Sequence, residues 1–311
     1  MVLDAQPLEN SAVIKQILIL SDGRAGHVNQ SIAFAKCLDA AYEIVPVRFR
    51  SRWTKWLSFL FDRVHLYTDL LYAPYTIPNA SYDSVVSAGS GTYYFNKFLS
   101  RKLHARSIAM MLPKGYRYDF DLIFAQRHDA PPLKENIVQI PANFAYIEPK
   151  GIYRAAKPSV GIVIGGSNRY FTLTPQKLKT QLDLIVRHYQ GYEIAVTTSP
   201  RTPKEIERLV KSYRFDYEVI FSENPVNPIA DFLEQCSDVF ITADSTSMIS
   251  ESVSWGSANV EILPLESESE NKFTRFAAFL EKEGYLHRFD GTFKACNRKI
   301  DFLQYIPKEL L

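Results

Sequence analysis

The chain reads as an α/β protein of two Rossmann-like domains facing a cleft, and three features of the sequence say so. Apolar runs rich in Ile, Val and Leu recur along it, each leading into a loop of small or hydroxyl residues and then a helical pattern. That order begins at Gln16 and restarts after a Pro- and Gly-containing stretch at residues 142–158. With 311 residues and 46% hydrophobic composition, the chain can bury one large core or two ordinary ones. The break therefore fits a first domain over residues 1–150 and a second over 151–311.

The elements follow in order. Residues 16–20 (Gln-Ile-Leu-Ile-Leu) form the first strand, which runs into Ser21-Asp22-Gly23-Arg24-Ala25-Gly26-His27 and a helix from about Asn29 to Leu38. A strand, a glycine-containing turn and a helix open a nucleotide-binding type of unit. A second strand spans 42–48, and residues 48–65 carry Trp53, Trp56, Leu57, Leu60, Phe61 and Val64 at helical spacing. Ser84-Val85-Val86-Ser87-Ala88-Gly89-Ser90-Gly91-Thr92 repeats the strand-then-glycine logic, and further strands fall at 107–112, 122–125 and 136–140. In the second half a strand at 160–164 ends in Gly165-Gly166-Ser167-Asn168, and a helix spans 175–189 with Pro175 at its entry. A strand at 193–198, a helix reaching Ser212 and strands at 217–221 and 239–242 complete the pattern.

The bulk numbers exclude several classes. A formal net charge of +2 supplies no field for a nucleic acid partner. Cys37, Cys236 and Cys296 are odd in number and far apart, with no C-x-x-C pair. Neither a disulfide framework nor a zinc site follows, and a reducing compartment is the default. Residues 1–11 are polar and acidic, unlike a signal peptide, and no apolar run approaches the ~18 residues that cross a bilayer. The expected location is the cytoplasm, with peripheral attachment to the cytoplasmic face of the membrane as an option.

Thr242-Ala243-Asp244-Ser245-Thr246-Ser247-Met248-Ile249-Ser250-Glu251 carries the clearest chemistry. A buried strand meets a turn of hydroxyl residues and then a helix starting near Ser247. Unpaired N–H groups, the helix dipole and the hydroxyls converge there on one anion, and Glu251 one turn in reaches the hydroxyls of a ribose. Gly165-Gly166-Ser167 can line an anion site with its N–H groups, or form only a tight turn. Ser199-Pro200-Arg201-Thr202-Pro203 sets Arg201 at a C-terminal strand edge, where open α/β sheets bind ligands. Its guanidinium suits phosphate or carboxylate; the plain alternative is a salt-bridged surface residue.

In the first half, Asp22-Gly23-Arg24-Ala25-Gly26-His27-Val28-Asn29-Gln30 is dense in functional residue types. Its glycines permit close backbone approach, Arg24 meets a phosphate or carboxylate, and either Asp22 or His27 serves as general base. The plain alternative is a turn whose Asp caps the helix. Arg127-His128-Asp129 extends Asp129 towards the cleft from the first domain, whereas Asn224-Pro225-Val226-Asn227-Pro228 reads as a structural turn. His65, His104, His188 and His287 read as surface or core residues. Around residues 48–65, Arg50, Arg52, Lys55 and Arg63 surround the apolar stripe. A basic helix bearing Arg52, Trp53, Lys55 and Trp56 lies in a membrane interface; the alternative is an amphipathic core helix with a solvated charged face.

Taken together these motifs resemble the Elm-type mitochondrial fission protein family, whose bacterial members look like glycosyltransferases of the GT-B fold. The matching pieces are Asp22-Gly23-Arg24-x-Gly26-His27-x-Asn29-Gln30, His128-Asp129, Gly165-Gly166, Ser199-x-Arg201-Thr202-Pro203, Asn227-Pro228 and Thr242-Ala243-Asp244-Ser245-x-Ser247-Met248-x-x-Glu251. The loop with His27 is also similar to that of the membrane-associated transferase that builds the peptidoglycan lipid intermediate. The chain departs from the pattern at Pro200, where the family often has a second Arg, at residues 255–260, which replace a Gly-x-Pro-Val strand entry, and at residues 87–92, which lack basic residues.

The resemblance implies an acceptor-binding N-terminal domain and a donor-binding C-terminal domain. A nucleotide-activated sugar would be held by Gly165, Gly166, Ser167, Ser199, Thr202, Asp244, Ser245, Ser247, Met248 and Glu251. Arg201 would neutralise the leaving group and Asp22 or His27 would take the acceptor proton. Gly23, Arg24, Gly26, Asn29, Gln30 and Asp129 would line the acceptor side or cleft. No metal or other cofactor is expected, since no paired carboxylates stand at a strand end. The expected acceptor is a glycolipid at the inner-membrane surface, as in lipopolysaccharide core or surface-glycan synthesis, with a CMP-linked ulosonic acid among the donors. The rival readings are a nucleotide-sugar epimerase of the same fold and a non-enzymatic membrane-associated scaffold.

Overall fold

The computed structural model describes residues 15–78 and 81–311, and the polar stretch at residues 1–11 lies outside them. It is a mixed α/β structure with two parallel six-stranded sheets. One holds β1 (Gln16–Ser21), β2 (Ala41–Pro46), β3 (Ser84–Ser87), β4 (Arg106–Ala109), β5 (Leu122–Gln126) and β6 (Ile137–Ile140), in the order β2-β1-β3-β4-β5-β6. The other holds β7 (Ser159–Ile164), β8 (Glu193–Thr198), β9 (Tyr217–Val219), β10 (Asp238–Thr242), β11 (Asn259–Leu263) and β12 (His287–Arg288), in the order β12-β11-β10-β7-β8-β9. Strand order reverses between β1 and β3 and between β7 and β10. Loops at the carboxyl ends of strands flanking such a reversal form the crevice where open α/β sheets bind ligands.

The helices are α1 (Ala25–Cys37), α2 (Arg52–Arg63), α3 (Tyr93–Leu103), α4 (Pro175–His188), α5 (Lys204–Tyr213), α6 (Ile229–Gln235), α7 (Thr246–Ser252) and α8 (Lys272–Lys282). By their contacts the residues group into two compact units. One comprises Met1–Ala109, Pro113–Leu122 and Lys308–Leu311; the other comprises Met110–Leu112 and Ile123–Pro307.

In the first unit, Ile17, Leu18, Ile19 and Leu20 of β1 are all buried, as a parallel strand covered on both faces requires. Helix α1 starts four residues earlier than the apolar pattern suggests. The Arg24 carbonyl accepts from the amides of His27 and Val28 (3.0 and 3.1 Å), and Asp22 Oδ1 accepts from the Arg24 amide (3.2 Å). Ala25, Gly26 and His27 thereby become the first helical turn.

Helix α2 is inside out. A capping box starts it: Ser51 Oγ accepts from the Thr54 amide (3.2 Å) and Thr54 Oγ1 from the Ser51 amide (3.1 Å). Its inward side is largely polar, with Phe59 packed on the Tyr116 ring as an apolar exception. Ser58 bonds the Tyr116 hydroxyl (2.9 Å), and the fully buried Asp62 carboxylate accepts from Lys97 Nζ (2.7 Å), the Arg117 amide (2.7 Å) and the Tyr67 hydroxyl (3.1 Å). The Lys97 ammonium, itself fully buried on α3, also pairs with Asp119. The outward side is apolar: Trp53 is 80% and Trp56 71% exposed, and Leu57, Leu60 and Val64 beside them are exposed too. The expectation of a helix here holds, and the core-helix alternative does not.

In the second unit, every residue of β7 is buried. Gly161 permits close packing, since a Cβ there would lie 3.0 Å from the Phe232 side chain of α6. The stretch at 142–158, read from sequence as a linker, is partly pinned. Asp231 of α6 accepts from the amides of Lys150, Gly151 and Ile152 (2.9 Å each) and of Tyr153 (3.4 Å). Asn143 donates its amide to Ser250 Oγ of α7 (3.2 Å).

Candidate functional site

Three loops of the second unit, following β7, β8 and β10, are laced together by one buried carboxylate. Asp244 accepts from the Thr242 hydroxyl (2.7 Å), the Gly166 amide (3.2 Å) and Arg201 Nη2 (2.6 Å), and its side chain is wholly buried. Burial raises its pKa, while the bonds from Thr242, Gly166 and Arg201 oppose the rise. The Gly165 amide donates to Thr242 Oγ1 (2.7 Å), and Asn168 Nδ2 donates to the Asp244 carbonyl (3.0 Å). A methyl group on Gly165 would collide with the Asp244 carboxylate, and one on Gly166 with the Arg201 carbonyl. Two glycines stand here because the loops meet without room for a Cβ.

This geometry corrects part of the sequence reading. The amides of Gly165 and Gly166 are committed inside the chain, Ser167 Oγ accepts from the Leu173 amide (3.0 Å), and the Thr202 hydroxyl donates to the Ile164 and Gly165 carbonyls (3.0 and 2.7 Å). Gly165, Gly166 and Thr202 thus spend these groups on joining the loops, with Asp244 at the junction, while Ser167 keeps its hydroxyl hydrogen to donate. Also available are Arg201, whose half-exposed guanidinium is anchored through one nitrogen, and the start of α7. There Ser245 caps the helix by accepting from the Met248 amide (3.4 Å), while the amides of Thr246 and Ser247 make no hydrogen bond among the described residues. Ser199 Oγ accepts from the Arg201 amide (3.2 Å) and so shapes the arginine's turn.

A cavity of about 250 Å³ lies alongside. Thr197, Ser199, Phe221, Asn227, Met248 and Glu251 contribute to its lining, and it opens at the carboxyl ends of β7 and β8. Glu251 has no hydrogen-bond or ion-pair partner among the described residues, and burial alone pushes its carboxyl up to about 7. An unpaired carboxyl held in a cavity is a group waiting for donors such as hydroxyls. Asn227, read as part of a structural turn, accepts from the Ile229 amide (3.0 Å) and also faces this cavity.

Sequence reasoning missed Lys299. Its ammonium donates to the carbonyls of Ser252 (2.8 Å) and Ala258 (2.9 Å), closing the C-terminal end of α7, and burial lowers it to about 8. Nothing in the local pattern around Lys299 marks it, because its partners are main-chain atoms more than forty residues away.

In the first unit the reversal point carries the Asp22–His27 pair. Asp22 Oδ2 lies 2.9 Å from His27 Nδ1, and both side chains are mostly buried. The loop after β3 packs on them. Gly89, at φ +90°, leaves no space for a methyl beside His27 Nδ1, and a Cβ on Gly91 would lie 3.1 Å from that of Asp22. With Nδ1–H donated to the carboxylate, Nε2 keeps its lone pair, the arrangement that makes an imidazole a base. Arg24 and Asn29 are exposed and Gly23 sits at φ +82°. Gln30 is buried, its amide donating to the Gly26 carbonyl (3.1 Å). Asp129 falls in the second unit, where it pairs with Lys272 of α8 (3.9 Å). No helix among the described residues is long and apolar enough to cross a membrane.

Two parallel sheets, each with functional residue types gathered at its strand-order reversal, define a doubly wound α/β protein, and the chain belongs to the family described as Mitochondrial fission ELM1, whose profile matches residues 25–305. It is 24% identical to the uncharacterized protein RP120 of Rickettsia prowazekii (strain Madrid E), over 77% of this chain and 81% of that one. Among solved structures it is similar to MurG of Acinetobacter baumannii (12% identity, 90% of this chain and 87% of that one, TM-score 0.45). It is also similar to S. aureus MnaA in complex with UDP (10%, 93% of each chain, 0.47) and to the glycosyltransferase SnogD of Streptomyces nogalater (10%, 89% and 87%, 0.47).

Proposed function

We propose that the protein is a glycosyltransferase that moves a sugar from a nucleotide-activated donor to a glycolipid acceptor of the cell envelope. The observation that carries this reading is the pairing, within one unit, of a guanidinium fixed by a buried carboxylate with a cavity holding an unpaired carboxyl. Arg201 meets the donor's phosphate, the hydroxyls and free amides at the start of α7 add donors to it, and Glu251 takes the ribose hydroxyls. A site offering one free guanidinium edge suits a single phosphate well, so CMP-linked sugars such as an ulosonic acid belong beside the diphosphate donors.

In the reaction, the acceptor hydroxyl gives its proton to His27 Nε2 while its oxygen bonds to the anomeric carbon. The bond from that carbon to the phosphate oxygen breaks, and Arg201 balances the charge left on the departing nucleotide. Asp22 orients the imidazole and stabilises the imidazolium that forms. Helix α2 seats the protein on the membrane that carries the acceptor. Its outward apolar stripe, flanked by the exposed Arg52 and Arg63, matches an interfacial helix, whereas a helix serving only the fold would turn that stripe inward. A scaffold reading has the same helix in its favour but leaves the unpaired Glu251 without a task.

Calorimetric titration with UDP, GDP, CMP and ADP tests the donor site. One nucleotide class should bind the wild type and be lost in Arg201→Ala and in Glu251→Ala. Absence of binding by every nucleotide and every sugar conjugate would turn the reading towards the scaffold.

A further inference from the structure

The inward side of α2 and the Asp22–His27 pair grip the same four residues, the loop at 88–91. From α2, Lys55 Nζ donates to Ser90 Oγ (2.9 Å). Ser58 bonds the Tyr116 hydroxyl (2.9 Å), which in turn donates to the Ser90 carbonyl (3.1 Å). Phe59 packs its ring 4.5 Å from that of Tyr116 and closes on Gly115, where a Cβ would lie 2.9 Å from the Phe59 ring. From the other side of the loop, Gly89 presses on His27 with no room for a side chain, and a Cβ on Gly91 would make a tight 3.1 Å contact with Asp22. The loop is itself braced. Thr92 Oγ1 donates to the carbonyls of Ala88 (3.1 Å) and Gly89 (2.9 Å), and the Tyr72 hydroxyl donates to the Gly91 carbonyl (3.2 Å). A tightly packed loop carries a displacement rather than absorbing it.

We propose that Ser90 and Tyr116 are positioning residues through which the seat of α2 sets the geometry of the Asp22–His27 pair, so that contact of α2 with a lipid surface is felt at His27. The proposal rests on the reading of α2 as a lipid-docking face and of Asp22–His27 as the acid–base pair. The outward residues, Trp53, Trp56, Leu57 and Leu60, make the lipid contact; Lys55, expected from sequence at the membrane face but turned inward onto Ser90, acts with Ser58 and Phe59 to pass it to Ser90 and Tyr116. Neither positioning residue contacts a reacting atom. Coupling of this kind is reciprocal, so a change at the pair that shifts the loop also changes the affinity of α2 for lipid.

The test uses the full chain with isotope-labelled histidine and nanodiscs of phosphatidylglycerol and phosphatidylcholine. The His27 imidazole resonances are identified by their loss in His27→Gln, and lipid binding is followed separately by co-sedimentation with vesicles of the same lipids. In the wild type the His27 resonances should move on lipid binding. In Lys55→Met/Tyr116→Phe, which leaves the apolar face intact, lipid should still bind and the His27 response should be lost. Ser90→Ala, which removes only the side-chain link, should reduce it. His27 resonances that stay put in the lipid-bound wild type, or that move equally in the double variant, would overturn the proposal. If the wild type does not bind lipid, the docking reading fails instead. The lipid-free spectra then decide the link: His27 resonances displaced in the double variant support it, and coincident ones overturn it.

Discussion

Replacing Glu251 by Gln should make the second unit more stable at alkaline pH and, on the proposed reading, abolish nucleotide binding. Burial raises this carboxyl from its ordinary 4.5 to about 7, so the folded state prefers the neutral form. A group raised in this way adds no penalty below about pH 4.5, where it is protonated in both folded and unfolded states. The penalty grows as pH rises from 4.5 to about 7 and is complete above that. At about 1.4 kcal/mol for each tenfold change in proton affinity, the ionised form costs the folded state at most about 3.5 kcal/mol. Glutamine keeps the shape without the charge. Urea denaturation at pH 4.5 and pH 8, followed by a probe in the second unit, should therefore show the two proteins nearly equal in acid and the variant up to ~3.5 kcal/mol more stable in alkali. A difference of the same size at both pH values, or a wild type that gains on the variant as pH rises, would refute the reasoning. Titration with the cognate nucleotide on the same samples should show binding lost in the more stable protein, as expected where function holds a charge in a costly place.

Other outcomes follow from the first unit. Lys97→Met leaves Asp62 buried without its ammonium and should cost about 3–5 kcal/mol in chemical denaturation; adding Asp62→Leu should recover part of the loss. Gly89→Ala forces a methyl against His27 at a positive φ and should cost about 1–3 kcal/mol, with His27 resonances displaced. Trp53→Ser/Trp56→Ser should weaken vesicle binding by at least about tenfold, since each indole buried in lipid contributes on the order of 1.5–3 kcal/mol. Because both side chains are exposed in the folded protein, its stability should change by no more than about 0.5 kcal/mol per site.

The strands were the most legible part of the chain, because a strand buried on both faces is a continuous apolar run, as in β1, β7 and β10. Helices whose buried side is small or polar were harder. Residues 93–103 bury Asn96, Lys97 and Ser100 as well as Tyr94 and Phe95, so α3 has no clean apolar stripe to read. The short α6 and the two-residue β12 lack a period long enough to detect. At the site, sequence singled out Arg201, Asp244, Glu251, Asp22 and His27, and the fold brings Arg201 to Asp244 and Asp22 to His27. It could not distinguish groups that face outward from those consumed within the loops. Gly165, Gly166 and Thr202 look the same in either case until hydrogen-bond partners up to 78 residues away are known. The links from Ser90 to Lys55 and Tyr116, and from Lys299 to α7, are likewise long-range pairings that no local pattern announces; Lys55 stood out only for its charge.

The inverted build of α2 has a consequence for how this surface can change over time. In most surface helices one apolar stripe serves both folding and any partner, so altering the partner endangers the fold. Here Ser58, Asp62 and the groups they bond hold the helix in place, and the outward Trp and Leu residues add little to the core. The two sets answer to separate demands. Substitutions on the outer stripe can therefore alter what this face would bind while the folded unit beneath persists.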